Sequence, residues 1–474
     1  MTTSIHQFRQ SAFIAIEDIR LQTALENATG RFRSARATAL ADLPDPDAMR
    51  DHFKKIRAAT IANLTEHLEA FERNATANGS HVHWARDASE ARQIVLDIAQ
   101  SHRVTMAAKS KSMATEEIHL NAALDKAGIQ PVETDLGEWI VQLAEEPPSH
   151  IIAPAIHKTK EQVADLFTKE AGREIPADIP TLTAEARRML REKFLAAGLG
   201  ISGGNLGVAE TGSIVLVTNE GNGRMVTSLP PVHIAVMGIE KIAPTWDEAT
   251  LWLALLARSA TGQPLSIYTS IVTGPARPHP QPLSHGERGV LPPLPMGEGR
   301  GEGDVDGPQE VHIVLLDNGR SKLIGTKYEE ILQCIRCGAC LNVCPVYREA
   351  GGHAYGSPYS GPIGAVISPL LFGLENFAGL PQASSLCGAC KDVCPVRIDL
   401  PRMLVELRGD EVQRGLLPWW EAAAERGAAM MMGDATLMRV GLGFGRVGQG
   451  ILSEDLPRLA KKSFRKMWED GEIN

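Results

Sequence analysis

The sequence predicts a three-layer α/β domain followed by an all-α module, and two patterns along the chain predict this order. Short apolar runs alternate with helix-like stretches from about residue 82 to residue 271. Such alternation is typical of a mainly parallel sheet with helices on both faces. From about residue 327 onward, helix-forming stretches surround two runs of cysteines. The predicted strands are Val104–Ala108, Ile151–Ala153, Ile214–Val217, Ile234–Met237, Ile267–Ile271 and Val311–Leu316.

Helices are predicted before the α/β domain as well, from about Ser11 to Asn78. Apolar residues recur there at helical spacing. Asp45, followed by Pro46, has the composition of a helix start and predicts a break before the second helix. The predicted helices of the α/β domain are Ala88–Ala99, Thr115–Ala127, Lys160–Lys169, Ala184–Ala197 and Asp247–Arg258.

These patterns predict four parts in a chain of 474 residues, which is too long for one ordinary domain. The parts are N-terminal helices (1–80), the α/β domain (81–325), the cysteine-bearing module (326–410) and a C-terminal helical segment (411–474). Within the α/β domain, residues 274–308 are rich in Pro and Gly and show no periodicity. Such a segment cannot bury enough apolar surface to order its backbone, so it is predicted to be a disordered loop insertion.

The bulk properties exclude some classes of function. The net charge is −9 and the pI about 5.9, which argues against nucleic-acid binding, since that requires a basic field. No apolar window of about 18 residues occurs, so no membrane span is predicted. Acidic residues, Glu17 and Asp18 among them, interrupt the apolar residues near the N-terminus, unlike a signal peptide. A cytoplasmic location is therefore expected.

Cysteine usage is the most informative feature of the composition. All seven cysteines lie between Cys334 and Cys394. A secreted disulfide scaffold would distribute its cysteines over a small, loop-rich chain. Clustering within one segment of a large chain indicates metal binding instead.

The first run has the spacing C-x2-C-x2-C-x3-C-P and consists of Cys334, Cys337, Cys340 and Cys344, followed by Pro345. This is the bacterial ferredoxin pattern, in which three close thiolates bind one iron–sulfur cluster and the fourth binds the other cluster. A zinc site is the alternative, but zinc takes four ligands and leaves the additional cysteines unused.

The second run, Cys387, Cys390 and Cys394, matches the same template without its first cysteine, whose position is taken by Ser384. Crossing the runs assigns Cys334, Cys337, Cys340 and Cys394 to one cluster and Cys344, Cys387 and Cys390 to the other. The second cluster then has three thiolates. Ser384 or another non-cysteine ligand, a three-iron cluster or an open iron are all compatible with this pattern.

Candidate catalytic residues of the α/β domain are Lys109, Ser110, Glu210 and Arg224. Lys109 and Ser110 belong to the run Lys109-Ser110-Lys111-Ser112, which follows the apolar run Val104–Ala108 and opens a helix, where hydroxyls and lysines favour a carboxylate or a phosphate. Glu210 and Arg224 flank the run Ile214–Val217, so a hairpin could turn both toward a pocket. Capping and turn formation explain these residues nearly as well.

Two Gly-x-Gly-x-x-Gly matches, beginning at Gly198 and Gly443, lack the strand–turn–helix context of a dinucleotide site. The chain therefore shows no NAD or FAD site of its own. His353 and Tyr355, which lie between the cysteine runs, could tune a cluster by hydrogen bonds to its sulfurs, although an isolated His is more often structural.

The long stretches CIRCGACLNVCPVYREAGGHAYGSPYSGPIGAVISPLL, SSLCGACKDVCPVRIDLP and GGNLGVAETGSIVLVTNEGNGRMVTSLPPVHIAVMGIEKI, together with LLDNGRSK, resemble the lactate utilization protein B family. The resemblance covers nearly the whole chain except the Pro/Gly insert. It implies a lactate-utilization (LUD) type α/β domain, related in fold to sugar-phosphate isomerases and CoA transferases (NagB/RpiA/CoA-transferase-like). An all-α, ferredoxin-type module with two 4Fe-4S clusters is implied after it, and a shortened second cysteine run is usual in the family.

The resemblance also implies a function and partners. The expected role is electron transfer in the oxidation of L-lactate to pyruvate, as a subunit of an oxidoreductase complex rather than a stand-alone enzyme. The expected partners are a heterodisulfide-reductase-like protein and a second LUD protein, with a small carboxylate as a possible ligand. Two other functions stay open, namely service to another 2-hydroxy acid such as glycolate, and a catalytic α/β domain with structural or sensory clusters.

Overall fold

The structure, a computed structural model, describes residues 3–276, 307–416, 419–434, 436–442, 462 and 464–471. It contains two compact units, Met1–Arg408 and Gly409–Asn474. Most of the predicted Pro/Gly insert lies outside the described residues. Among the described helices, none is long and apolar enough to cross a membrane.

Four helices open the first unit. They are α1 (Ile5–Glu17), α2 (Ile19–Ala41), α3 (Pro46–Ala62) and α4 (Leu64–Ala77). The predicted start of α3 is confirmed, because the Asp45 side chain accepts a hydrogen bond from the Ala48 backbone N–H and Pro46 occupies the first turn. These helices carry the arginines that later contact the cysteine module.

The α/β domain follows α4. Its strands are β1 (His81–Ala85), β2 (Met106–Lys109), β3 (Gln130–Glu133), β4 (Leu199–Gly203), β5 (Leu206–Val208), β6 (Ser213–Thr218), β7 (Val232–Gly238), β8 (Ile242–Ala243), β9 (Tyr268–Val272) and β10 (Glu310–Leu316). Its helices are α5 (Ala88–Ser101), α6 (Met113–Glu117), α7 (Leu120–Lys126), α8 (Leu136–Leu143), α9 (Lys160–Ala171), α10 (Ile179–Ala196), α11 (Asn222–Ser228) and α12 (Trp246–Ala260).

The main sheet has six parallel strands in the order β1-β10-β7-β4-β2-β3. Alternate residues of the central strands pack on opposite faces. Val232 and Ile234 of β7 join the core formed with α5 and α7, whereas Ala235 and Met237 join the core formed with α4. The predicted mainly parallel sheet with helices on both faces is confirmed.

A second, smaller sheet was not predicted. It has the strand order β8-β5-β6-β9, with antiparallel pairing of β6 to both β5 and β9. The predicted strands Ile214–Val217 and Ile267–Ile271 correspond to β6 and β9 and lie in this sheet rather than in the main one. The predicted strand Ile151–Ala153 is wrong, because these residues form an irregular loop. The predicted helix Thr115–Ala127 is interrupted at His119, whose φ is 50°.

The first glycine-rich match lies within β4 rather than in a turn between a strand and a helix. A Cβ atom on Gly200 would stand 2.0 Å from the carbonyl oxygen of Val226 in α11. This glycine therefore allows α11 to approach the sheet closely, which is a packing role.

Short helices and loops form the cysteine module. The described helices after the α/β domain are α13 (Ala339–Val343), α14 (Pro345–Ala350), α15 (Gly361–Phe372), α16 (Ala389–Val393), α17 (Leu400–Gln413), α18 (Trp419–Gly433), 436–442 and Phe464–Glu469, with 3-10 turns at Ser321–Leu323, Glu329–Gln333 and His353–Tyr355.

Candidate functional site

The seven cysteines are free thiols in two loops of the module. Within each loop, a left-handed glycine, Gly338 (φ 74°) or Gly388 (φ 86°), starts the short helix that follows. Glycine suits these positions because it has no Cβ atom that would penalise a positive φ. The tight loop directs neighbouring cysteines toward a common interior.

The thiols interact across the two runs. Burial, and then the nearby Cys394 thiol, raise the pKa of Cys337 to about 12. Burial also raises the pKa of Cys394 to about 11, and Cys334 contributes further. In the other group, burial followed by Cys344 and Cys387 raise the pKa of Cys390 to about 12. The structure thus places Cys394 of the second run near Cys334 and Cys337, and Cys344 of the first run near Cys390.

This donor set fits an iron–sulfur centre. Buried thiols with raised pKa values are poor thiolates by themselves, because burial disfavours the charged form. A bound cationic iron centre offsets that charge and suits soft sulfur ligands. In addition, the Tyr355 hydroxyl is buried without a hydrogen-bond partner among the described residues. The Cys344 thiol lies near this hydroxyl, so a sulfur of a cluster bound there could accept its hydrogen bond.

Arginines from the N-terminal helices hold the backbone of the module. Arg50 donates from Nη2 to the carbonyl oxygen of Cys394 at 2.8 Å, and Arg36 donates to that of Val393 at 2.6 Å. Arg57, which is fully buried, donates to the carbonyl oxygens of Glu240 and Leu332 at 2.6 and 3.2 Å. Sequence reasoning missed these residues, because an arginine on a helix carries no sign of what it contacts.

A cavity of about 410 Å³ lies where the carboxyl ends of β2, β4 and β7 meet the first cysteine loop. Ser110 and Lys111 line it from the sheet side, and Arg336 and Tyr359 line it from the cysteine module. Such a position, at the carboxyl edge of a parallel sheet, is where ligands bind in open α/β domains. Lys241, also in the wall, donates from Nζ to the carbonyl oxygen of Cys334 at 2.8 Å.

A buried ion network supports the cavity wall. Arg320 contacts Glu117 at 2.8 Å and Glu240 at 2.6 Å, and Arg336 contacts Glu240 at 3.3 Å. Burial alone would raise the pKa of Glu240, but Arg320, Arg336 and Lys241 outweigh it and lower the pKa to about 2. The Glu240 carboxylate is therefore neutralised by its neighbours.

Three cavity-lining polar groups stay free for a ligand. Within the described parts of the chain, neither the Lys111 ammonium nor the Ser110 hydroxyl has a hydrogen-bond or ion-pair partner. The Oδ1 atom of Asn222, which also lines the cavity, is buried without a hydrogen-bond partner among the described residues. Glu220, another cavity-lining residue, lies near Lys111, and burial followed by Asp135 raises its pKa to about 7.

The four candidate catalytic residues do not meet in one place. Ser110 lines the cavity, whereas Lys109 is fully buried and ion-paired with Glu133 at 2.5 Å. Glu210 is exposed and accepts a hydrogen bond from the backbone N–H of Trp246 at 2.8 Å, so it caps the start of α12. Arg224 lies over the Tyr268 ring in a different, open depression. The expectation that Glu210 and Arg224 face a shared pocket is therefore wrong.

Of the lysines in this segment, Lys111 rather than Lys109 reaches the cavity. The two lysines differ in their position relative to the end of β2. Lys109 is the last residue of β2 and points into the domain, whereas Lys111 follows in the loop beyond the sheet edge. His353 is exposed and donates a hydrogen bond from Nε2 to the carbonyl oxygen of Pro147 at 2.8 Å. Tyr355, in contrast, lies near Cys344.

Comparison with known proteins agrees with this architecture. Residues 68–283 match the model of the LUD domain, and residues 330–398 match the model of the 4Fe-4S dicluster domain. The second match identifies the cysteine module as an iron–sulfur region.

Relatives match over most of the chain. Lactate utilization protein B of Macrococcus caseolyticus is 43% identical over 436 residues, which is 92% of this chain and 86% of the relative. An uncharacterized electron transport protein of Escherichia coli, YkgF, is 41% identical and covers 98% of this chain and 97% of its own length. Lactate utilization protein B of Bacillus subtilis is 42% identical over 92% of this chain and 86% of the relative. The chain therefore belongs to the lactate utilization protein B family.

Proposed function

We propose that this chain is the iron–sulfur electron-transfer subunit of a system that oxidises L-lactate to pyruvate and so allows growth on lactate as a carbon source. The observation that carries the proposal is the interleaving of thiols from two cysteine runs in a chain of this family. Two 4Fe-4S clusters are proposed. The first is held by Cys334, Cys337, Cys340 and Cys394, and the second by Cys344, Cys387 and Cys390.

When bound, two such clusters supply the capacity to accept the two electrons released by the oxidation of a 2-hydroxy acid, one electron each. The residues of the chain fix where this capacity lies. Arg50 and Arg36 hold the second cysteine run against the N-terminal helices, and Lys241 ties the peptide of Cys334 to the end of the main sheet. The first cluster is thereby proposed to lie beside the cavity.

The cavity is the proposed site for a small carboxylate. Its volume falls in the lower part of the range of small-molecule pockets, so a three-carbon acid fits together with ordered water. The Lys111 ammonium and the Ser110 hydroxyl are free to bind the carboxylate group, while Asn222 offers a hydrogen-bond acceptor to a hydroxyl. Ion pairing with Arg320 and Arg336 keeps Glu240 from repelling the acid.

Several further features belong to the proposal. The chain is proposed to act in the cytoplasm with two partner proteins, one heterodisulfide-reductase-like and one a second LUD protein. Its seven free cysteines suit a reducing compartment. The α/β domain is proposed to share its fold with sugar-phosphate isomerases and CoA transferases, which the helix-covered parallel sheet supports.

The proposal is tested by anaerobic purification of the full chain, with iron and acid-labile sulfide counts and EPR spectra before and after L-lactate. We expect both clusters to be present and to stay oxidised with L-lactate alone. They should become reduced when the two partner proteins are added with L-lactate. A protein that lacks iron and sulfide, or clusters that stay oxidised with the complete set of partners, would contradict the proposal.

A catalytic α/β domain is the second candidate, favoured by the cavity with its free lysine. Reduction of the clusters by L-lactate without any partner protein would support this candidate over a relay subunit. Replacing L-lactate with glycolate in the same assay tests the substrate. Faster reduction with glycolate would assign the chain to a different hydroxy acid.

A further inference from the structure

The two cysteine loops repeat one backbone conformation at corresponding positions. Arg336 and Leu386 both have a positive φ, 58° and 55°, although neither is a glycine. Gly338 and Gly388 follow in the left-handed region, and each starts a five-residue helix, α13 or α16. A repeated unfavourable conformation indicates that each loop is shaped for the same task.

Ser384 occupies the position in the second loop that Cys334 occupies in the first. In the first loop the backbone N–H of Arg336 donates to the Cys334 Sγ at 3.4 Å. In the second, the backbone N–H of Leu386 donates to the Ser384 Oγ at 3.2 Å. The equivalent backbone N–H therefore contacts the side-chain atom in each loop. The Ser384 Oγ thus occupies the position in the second loop that the Cys334 Sγ occupies in the first.

The backbone of Ser384 is held in this place. Arg408 donates from Nη2 to the Ser384 carbonyl oxygen at 3.0 Å and from Nε to that of Pro381 at 2.9 Å. Ser384 is half-buried, and Cys387, three residues later, is exposed. The two Arg408 hydrogen bonds therefore fix the backbone at this position.

We propose that Ser384, through Oγ, is the fourth protein ligand of the second cluster and completes the set of Cys344, Cys387 and Cys390. The inference rests on the proposed function, since it requires that the second cluster be present. On binding, the hydroxyl loses its proton to solvent, and the Fe–O bond forms without a change of oxidation state. Oxygen is a harder ligand than thiolate and stabilises the more oxidised iron, so the second cluster should have a lower reduction potential than an all-cysteine equivalent.

Tyr355 is the competing ligand. Its hydroxyl is buried without a hydrogen-bond partner among the described residues, and it lies near Cys344. It does not belong to the repeated loop, however, and no residue of the first loop corresponds to it. The repeat therefore favours Ser384.

The test compares five full-length proteins purified without oxygen: wild type, Ser384→Ala, Ser384→Cys, Tyr355→Phe and the control Ser385→Ala. Ser385 is the exposed neighbour of Ser384 and undergoes the same chemical change. Iron content, the EPR spectra of oxidised and reduced protein, and the midpoint potential of each cluster are measured. Ser384→Ala should lose one iron per chain and give the EPR signal of an oxidised three-iron cluster. Ser384→Cys should keep all its iron and raise the potential of the second cluster, and Ser385→Ala should match wild type.

Retention of all iron with a wild-type spectrum by Ser384→Ala would overturn the proposal, as would a three-iron signal from Tyr355→Phe alone. A three-iron signal from the wild type itself would also overturn it. A wild type with a single cluster would instead contradict the two-cluster part of the proposed function, so the two failures are distinguishable. If Ser384→Ala fails to fold, Ser384→Cys decides, because an unchanged potential there contradicts ligation at this position.

Discussion

At the scale of single residues, Lys111 is the cavity cation whose role is easiest to isolate. Lys111→Met should weaken the binding of pyruvate or L-lactate at least tenfold, because a hydrogen bond to a charged group contributes about 1.5 to 3 kcal/mol. Isothermal titration calorimetry on the iron-loaded protein measures this change. Lys126→Met is the matched control, since Lys126 is exposed and does not line the cavity. Equal affinities of the Lys111→Met and wild-type proteins would exclude this lysine from the site.

Glu220 gives the same site a pH dependence. Burial followed by Asp135 raises the pKa of Glu220 to about 7, so its carboxyl is mostly neutral at pH 6 and mostly charged at pH 8. A second negative charge in the cavity wall disfavours an anionic ligand. Carboxylate affinity should therefore fall as the pH rises from 6 to 8. The carboxylate affinity of the Glu220→Gln protein should fall less over that range. An identical pH profile of affinity for the two proteins would show that Glu220 does not cause the pH dependence.

Replacing Tyr355 tests whether a single hydroxyl shifts the reduction potential of a cluster. Loss of a donor to a cluster sulfur destabilises the reduced, more negative form. A hydrogen bond of about 0.5 to 1.5 kcal/mol corresponds to roughly 20 to 60 mV for one electron. Tyr355→Phe should lower one midpoint potential by about this amount in an EPR-monitored redox titration. Tyr347→Phe is the control, because the Tyr347 hydroxyl already donates to the Ser149 carbonyl at 2.9 Å. Equal shifts in the two variants would show that the effect is not specific to Tyr355.

At the scale of elements, Glu240 and Arg320 join the ends of β7 and β10 to α6 through Glu117. Glu240→Gln leaves the buried Arg320 and Arg336 without full compensation. The free energy of unfolding should fall by about 3 to 5 kcal/mol at pH 7, as is typical of a broken buried ion pair. Urea unfolding measures the change, and Glu90→Gln, in an exposed pair with Arg86, should leave the midpoint nearly unchanged.

The pH sign of this effect follows from the pKa. Because the folded-state pKa of Glu240, about 2, lies below the unfolded value of 4.5, its stabilisation is present above pH 4.5 and is lost as the pH falls toward 2. The difference in the free energy of unfolding between the Glu240→Gln and wild-type proteins should shrink over that range. A difference that is constant with pH would show that a change in packing, rather than charge, causes the destabilisation.

Elements with local signals could be predicted from the sequence, and contacts between distant elements could not. The alternation of apolar runs predicts the main sheet, and Asp45 predicts the start of α3. The run Ile151–Ala153 looked like a strand because three apolar residues suit either a strand or a buried loop. The second sheet escaped prediction because two of its strands, β5 and β8, are too short to show a period.

The candidate site, too, could be predicted from the sequence only in part. Spacing alone predicts the cysteine ligands, since the ferredoxin pattern is local and specific. Lys111 rather than Lys109 lines the cavity because β2 ends at Lys109. The sequence does not indicate at which residue the strand ends. Arg50 and Arg57 contact backbone carbonyls more than 180 residues away along the chain. Backbone acceptors are present at every residue, so no sequence motif indicates such contacts.

At the scale of the whole molecule, the N-terminal helices, the α/β domain and the cysteine module form one compact unit, Met1–Arg408. The wall of the cavity includes Ile335 and Arg336 of the first cysteine loop. A ligand in the cavity and a cluster on that loop would therefore share a wall of protein. Within a single chain, the carboxyl edge of the LUD domain thus lies next to a cysteine loop of the dicluster module.

In the proposed arrangement, each cluster takes ligands from both cysteine runs. The measurement that tests it most directly is the EPR spectrum of reduced, anaerobically purified Cys394→Ala, compared with those of Cys334→Ala and Cys387→Ala. We predict that Cys394→Ala alters the same signal as Cys334→Ala and leaves the signal altered by Cys387→Ala unchanged. A spectrum in which Cys394→Ala instead alters the Cys387→Ala signal would contradict the crossed arrangement.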